Sequence, residues 1–255
     1  GVKQDYAQAF KWYSKAAEQR YAGAQCSLGI MFAQGQGVKQ DYAQAFKWWS
    51  KAAAQGHAGA QFCLGIMFHQ GQGVKQDYAQ AFKWYSKASE QGHVGAQFQL
   101  GFMFNNGQGV KQDYAQAFKW YRKAAEQSDA GAQCNLGNLF AEGHGVKQDY
   151  AQALKWYRKA AEQGNAVAQF NVGGMFHLGH GVKQNYAQAF KWYSKAAELG
   201  HADAQYSLGA MFHHGRGVKQ DYAQAFKWYS KAADQGHAGA QCSLGIMFAN
   251  GRSVK

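Results

Sequence analysis

The sequence predicts an all-α solenoid of seven helix pairs, 36 residues to a pair. Three observations carry this. Gly1, Gly37, Gly73, Gly109, Gly145, Gly181 and Gly217 superpose the chain on itself without insertions. Each copy holds two segments whose apolar residues recur at helical spacing. Proline is absent and 32 glycines return at fixed places, which suits helices stopped by glycine C-caps. A repeat of this length cannot bury its apolar face alone and is stabilised by stacked neighbours. The 255 residues are therefore read as one solenoid domain, 1–255, with units 1–36, 37–72, 73–108, 109–144, 145–180, 181–216 and 217–252.

The first half of each unit reads as a helix, termed helix B. In the first copy Asp5 stands at the N-cap with Gln8 three residues on, a capping-box pattern. Tyr6, Ala9, Phe10, Tyr13, Ala16 and Ala17 share one side, and Gln8, Lys11, Ser14, Lys15 and Glu18 the other. The second set reads as a solvated outer face, with Glu18 a partial partner for the lysines. Trp12 and its counterparts lie at the edge of the apolar stripe. A ring at the same place in every unit helps every interface equally and selects no ligand, so it reads as packing.

The second half reads as a shorter helix A, roughly Gly23 to Gln34. Ala24, Gln25, Leu28, Gly29, Met31 and Phe32 occupy one arc and recur almost unchanged, while the other arc differs from copy to copy. The loop Gly35-Gln36-Gly37-Val38-Lys39-Gln40 then reverses the chain, its paired glycines allowing a tight turn and antiparallel packing. It lacks the third glycine, preceding strand and lysine-serine pair of phosphate-binding loops.

Histidine and cysteine do not fall into metal or disulfide patterns. His57, His93, His201 and His237 begin helix A where Asp129 and Asn165 stand in other copies, and are expected to be caps. His177 with His180, and His213 beside His214, lie outside zinc-site spacing. No metal and no cofactor is expected. Cys26, Cys134 and Cys242 occupy one position three repeats apart, too far for a bond between helices packed about 10 Å from one another. They are read as small apolar core residues, and Cys63, one residue further along its helix, as likewise without a partner. Free thiols suit a reducing compartment without requiring one. Localisation stays open between the cytoplasm, the periplasm and secretion.

The composition restricts function further. With 47% hydrophobic residues the chain has material for a core and does not read as disordered. No apolar run is long enough to span a bilayer. The net charge of +12 comes mainly from lysines spread over all units rather than from a basic cluster interleaved with aromatics, which speaks against nucleic acid. No nucleophile elbow, paired acids or Ser/Cys-His-acid set stands out, and S-x-x-K does not occur, so no enzyme is expected.

Ala24, Leu28-Gly29, Met31-Phe32, Gly35, Gly37-Val38, Asp41-Tyr42, Ala45, Trp48 and Lys51-Ala52-Ala53 follow the pattern A-x-x-x-LG-x-M-[YF]-x-x-G-x-GV-x-x-DY-x-x-A-x-x-W-x-x-KAA. This resembles the Sel-one-like repeat (SLR), a relative of the tetratricopeptide repeat, over essentially the whole chain. The resemblance implies a right-handed α/α superhelix with helix A lining the concave face, and adaptor or scaffold roles, often in bacteria and frequently outside the cytoplasm. The cysteine-rich members, with a disulfide in each repeat, are not close models for these unpaired cysteines.

The variable stripe of helix A is then the expected partner-binding face, suited to an extended or helical peptide or protein segment. One row holds Ser27, Cys63, Gln99, Asn135, Asn171, Ser207 and Ser243. A second holds Ile30, Ile66, Phe102, Asn138, Gly174, Ala210 and Ile246, and the following turn adds His69, Asn105, His177 and His213. Gln34, Glu142 and His214 close the stripe at the helix ends. A second expectation is head-to-tail self-association, or membership of a longer array, because Phe10, Tyr13, Leu244 and Phe248 repeat the interior pattern at the two ends. A hydrolase or a cell-wall small-molecule binder comes last, with no motif behind it.

Overall fold

The computed structural model describes residues 4–251, which hold fourteen α-helices and no strand. They fall into two compact units, Gly1–Gln127 and Ser128–Lys255. The first contains α1 (Tyr6–Glu18), α2 (Ala22–Gln34), α3 (Tyr42–Ala54), α4 (Ala58–Gln70), α5 (Tyr78–Glu90), α6 (Val94–Asn106) and α7 (Tyr114–Glu126). The second contains α8 (Ala130–Glu142), α9 (Tyr150–Glu162), α10 (Ala166–Leu178), α11 (Tyr186–Glu198), α12 (Ala202–His214), α13 (Tyr222–Asp234) and α14 (Ala238–Ala249). Odd numbers are helices B and even numbers helices A. In each unit every helix packs on its neighbours in sequence, most closely where helix A meets the helix B that follows it.

The local signals are used as expected. Asp5 accepts a hydrogen bond from the Gln8 backbone N–H at 3.0 Å, and Asp41, Asp77, Asp113, Asp149, Asn185 and Asp221 cap the later B helices likewise. Helix A ends on a left-handed glycine: Gly35 has φ 69° and donates its N–H to the Met31 carbonyl. Helix A is not the shorter helix. All helices have 13 residues except α14, with 12. The glycine near its start concealed the first turn from a reading of apolar spacing.

The arc of helix A that does not vary is the buried one. Ala24, Gln25, Leu28, Gly29 and Met31 are buried and Phe32 is half-buried, a division the later inner copies keep with few changes. At its centre a helix A glycine lies under an aromatic ring of the next helix B. A Cβ added to Gly65 would meet Tyr85 at 2.4 Å, to Gly101 Tyr121 at 2.5 Å, and to Gly209 Tyr229 at 2.5 Å. Tyr85 and Tyr121 are each only 1% exposed, and burial pushes the Tyr193 and Tyr229 hydroxyls up to about 12. Trp49 takes the tyrosine's place over Gly29 and donates its indole N–H to the Cys26 carbonyl at 3.1 Å.

A buried glutamine runs beside this contact. Gln25 donates from Nε2 to the Ala17 carbonyl at 3.1 Å, and its Oε1 accepts from Gln55 Nε2 at 2.7 Å. The glutamine–glutamine bond recurs from Gln91 to Gln61, Gln127 to Gln97, Gln163 to Gln133 and Gln235 to Gln205. In the remaining copy Leu199 replaces the donor, and Gln169 Oε1 is left buried without a partner.

On the outer face, Lys15 does not pair with Glu18 but lies over the Trp12 ring, 4.9 Å from its centroid. Lys51 over Trp48 at 4.3 Å and Lys159 over Trp156 at 4.4 Å repeat this. The counterparts of Trp12 in the later copies are half-buried, and Trp48, Trp84, Trp120, Trp192 and Trp228 pack against the cores of their units, as a packing role requires.

Two predictions follow from these contacts. Gly209→Ala drives a methyl group into Tyr229 and should cost about 1–3 kcal/mol. Gly245→Ala, at the equivalent place on α14 where a Cβ meets nothing within 4 Å, should be neutral or stabilise by up to about 1 kcal/mol. Denaturant titration of both variants checks this, and equal effects would remove the glycine–ring contact as the reason for glycine. Separately, Leu199→Gln should supply the donor that Gln169 lacks and raise stability by about 1 kcal/mol. Calorimetry showing no gain would mean that water already satisfies that oxygen.

Candidate interaction face on the A helices

The variable stripe is accessible in both units. Ile30, Gln34, Glu142 and His214 are exposed, and the other thirteen expected site residues are half-buried; none is sealed in the core.

In the first unit the stripe mixes apolar and amide groups. Ser27 spends its hydroxyl proton on the Gly23 carbonyl at 3.0 Å and keeps lone pairs to offer. With Ile30, Met31, Tyr6, Ala9, Tyr13 and Gln36 it lines a pocket of about 240 Å³. Ile66 and Phe102 continue the Ile30 row on α4 and α6. Ile66 leans on the core cluster around Tyr85, and Phe102 lies 6.4 Å from the His69 ring. Gln99 stands one turn before Phe102, and Asn105 Nδ2 donates to Asn106 at 3.2 Å.

The second unit places amides at Asn135 and Asn171 in the first row and at Asn138 in the second, with Ser207, Ala210 and Ile246 further along. Asn138 Oδ1 accepts from the Tyr157 hydroxyl at 2.7 Å and from Asn171 Nδ2 at 3.3 Å, so two neighbouring A helices are joined through side chains of the stripe. Asn135 stands beside them, half-buried. Ser207 donates to the Asp203 carbonyl at 2.8 Å, and Glu142 meets His144 at 2.9 Å.

The histidines sort into two groups. His69, His177 and His213 close helix A against the first tyrosine of the next helix B, edge to face with Tyr78, Tyr186 and Tyr222 at 5.1–5.2 Å. Burial lowers the pKa of His69 and of His177, the latter with help from the Arg216 charge. His177 and His180 part company, His180 stacking on Tyr150 at 4.5 Å, while His213 and His214 touch at 4.8 Å. No group of three or more His, Cys, Asp or Glu gathers among the described residues.

The second group caps helix A as expected. His57, His93, His201 and His237 each accept from the N–H three residues on, at 3.0–3.3 Å, and Asp129 and Asn165 do the same. Tyr21, in the first copy, makes no side-chain cap. Three of these imidazoles stack on a ring of the preceding helix A: His93 on Phe62, His201 on Phe170 and His237 on Tyr206, at 4.4–4.9 Å.

The four cysteines are free, as expected, but one expectation is corrected: Cys26 and Cys134 are buried, whereas Cys242 is exposed, because it lies on α14, the last of the described helices. Cys63 is half-buried and packs against the apolar cluster that holds Cys26. Spacing between equivalent positions concealed this, because Cys63 lies one residue beyond the counterpart of Cys26.

The G-x-G loop has no room for a phosphate beside its second glycine. A Cβ on Gly109 would strike the Tyr78 backbone at 2.6 Å, so this glycine is the close contact between the loop and the preceding helix B. Gln112 ties the loop down further, donating to the Asn105 carbonyl at 2.7 Å and to the Tyr114 hydroxyl at 3.0 Å.

Repeated α/α pairs with a buried side that does not vary and an accessible side that does define a helical repeat solenoid. The Sel1 repeat pattern matches residues 1–21, 22–57, 58–93, 94–129, 130–165, 166–201 and 202–237, and the chain belongs to the Sel1 repeat family. The family's unit begins at helix A, whereas the units above were cut at helix B; the period is shared. Among solved structures, a protective antigen present in uropathogenic Escherichia coli strains, displaying an SLR fold, is 38% identical with a TM-score of 0.74. The match covers 97% of this chain and 61% of the antigen, so the chain spans about three fifths of that protein's length. A Sel1 repeat protein from Oxalobacter formigenes is 30% identical over 90% of this chain and 97% of its own, with a TM-score of 0.78. An immunity protein from Pseudomonas aeruginosa, 22% identical over 94% of this chain and 86% of its own, shares the fold at a TM-score of 0.51. No curated protein sequence matches. Sel1 repeat proteins are in general protein–protein interaction scaffolds without enzymatic activity. No helix among the described residues is long and apolar enough to cross a membrane.

The histidine caps make stability depend on pH. Burial, foremost, holds His93 and His201 below the ordinary value of 6.5, and Nδ1 must be unprotonated to accept the cap bond. Above 6.5 the folded and unfolded chains are both neutral at these sites and the caps are intact. As pH falls below it, the unfolded chain takes up protons that the folded chain resists, so stability is lost on acidification. The melting temperature should fall between about pH 7.5 and 5. His93→Asn with His201→Asn, copying Asn165, should shrink that fall; an undiminished one would show that the caps are not its source.

Proposed function

We propose that this chain is a protein-binding scaffold that takes an extended or helical peptide segment along the variable stripe of its A helices. One observation carries the reading. Outside the row of Cys26, the side of helix A that varies between copies is the side left accessible, while the buried side hardly changes. The row of Ile30, Ile66 and Phe102 suits apolar side chains of a partner, with Gln99 and Asn105 beside it for peptide backbone groups. The second unit offers Asn135, Asn138 and Asn171, whose free donors and lone pairs suit a more polar segment. The family's general role as interaction scaffolds points the same way.

The reading is tested with peptides selected from a random display library on the intact chain. Phe102→Ala with Asn138→Ala should weaken the selected peptides about 10-fold or more, at unchanged helicity by circular dichroism. Lys47→Ser with Lys83→Ser, on the B helices, should leave them unaffected. Affinity that responds to the lysines and not to the stripe places the binding face elsewhere.

A further inference from the structure

Cys26 on α2 and Cys63 on α4 belong to the A helices of neighbouring copies, which also touch one another directly. Both cysteines lie in one apolar cluster, with Trp49, Ala60 and Leu64. Cys26 is 7% exposed, and Cys63 is half-buried on the accessible stripe. The buried sulfur lies against the first turn of α4, because a Cβ added at Gly59 would be in ordinary contact with Cys26 Sγ at 3.8 Å. Donation from the Cys63 S–H holds Cys26 below its usual value against the opposing effect of burial, and Cys63 is itself pushed up.

We infer that Cys26 and Cys63 form a modification site, which a hydroperoxide converts into a reversible disulfide stapling α2 to α4. The Cys26 thiolate attacks the peroxide O–O bond, forming the sulfenic acid and expelling hydroxide or alkoxide, which takes up the thiol proton. The Cys63 sulfur then attacks the Cys26 sulfur. The S–S bond forms, the S–OH bond breaks, and the departing hydroxide leaves as water with the Cys63 proton. Two thiols are oxidised by two electrons, and the hydroperoxide is reduced to water and water or an alcohol. Cys26 Sγ lies against the first turn of α4 and both cysteines share one apolar cluster, so closure to a bond of about 2 Å needs side-chain rotation and a small shift of α4 rather than unfolding. Cys134 is an internal control. It occupies the Cys26 position and is equally buried, and burial pushes its thiol up to about 11, but Asn171 stands where Cys63 would be. The disulfide would also withdraw Cys63 from the stripe, a consequence that rests on the binding proposal; the chemistry does not.

The reduced, intact protein is treated with hydrogen peroxide, the remaining thiols are alkylated, and peptides are mapped by mass spectrometry. The expected product is a Cys26 peptide linked to the Cys63 peptide within one chain, with Cys134 and Cys242 outside the bond and two of the four thiols lost. Dithiothreitol should restore them, and oxidation should raise the melting temperature. Cys63→Ser, a residue that Ser27 and Ser207 show the fold accepts, should abolish the link and the rise and carry Cys26 on to sulfinic acid. Cysteines recovered as separate thiols or sulfinic acids in the unsubstituted protein, or linked only between chains, would overturn the proposal. A Cys26–Cys63 link without any change in peptide affinity supports the proposal and counts against the binding face alone.

Discussion

The contact on which the rest depends is a helix A glycine lying under an aromatic ring of the next helix B. A ring on a bare backbone brings the two axes closer than any larger residue would allow, and it buries a tyrosine almost completely, a large share of the apolar area each copy contributes. This closeness turns the rest of helix A outward. Once Gly29, Leu28 and Met31 face the core, residues such as Ile30 and Gln34 have no route to it. The accessible stripe is therefore a geometric consequence of the glycine.

A glutamine buried beside that contact has to find partners for both ends of its amide, or it costs more than an apolar residue in its place. Gln25 does so by bridging backward to the Ala17 carbonyl and forward to Gln55. The bonds join consecutive helices through groups with fixed directions, so they set the register in which one copy sits on the next. A purely apolar contact could slide. Leu199 shows that one missing link is tolerated, since its copy still holds Gln169 against the Ala161 carbonyl at 3.1 Å.

Much of this was legible in the sequence, for a physical reason. Helical period, caps and turn glycines are local properties, and the residues that vary between copies mark the side where packing does not forbid change. The histidine caps were readable because Asp129 and Asn165 stand at the same position. What stayed hidden lies between copies. The meeting of Cys26 with Cys63, and of Asn138 with Asn171, depends on how far one helix A is offset along the next, which no spacing within a copy reports. The glutamine pair left a signal that went unused: Gln25 and Gln55 are kept almost throughout, and Leu199 stands out among the residues that follow helix B.

Variation on helix A is not all of one kind. The row of Cys26, Phe62, Phe170 and Tyr206 is tied to packing, since Phe62, Phe170 and Tyr206 each stack on a histidine cap of the next copy, and Cys26 and Cys134 are buried. That row varies within limits that packing sets. The row of Ile30, Ile66, Phe102 and Asn138 reaches further outward. Asn138 accepts the Tyr157 hydroxyl, whereas Ile66, packed against the Tyr85 cluster, and Phe102 carry no acceptor in the same row, so the shared packing admits either kind of side chain. In the second unit the same row passes from Asn138 through Gly174 and Ala210 to an exposed Ile246. Its chemistry is therefore set copy by copy, over a nearly invariant packing of glycine, leucine and aromatic ring that makes no demand on it.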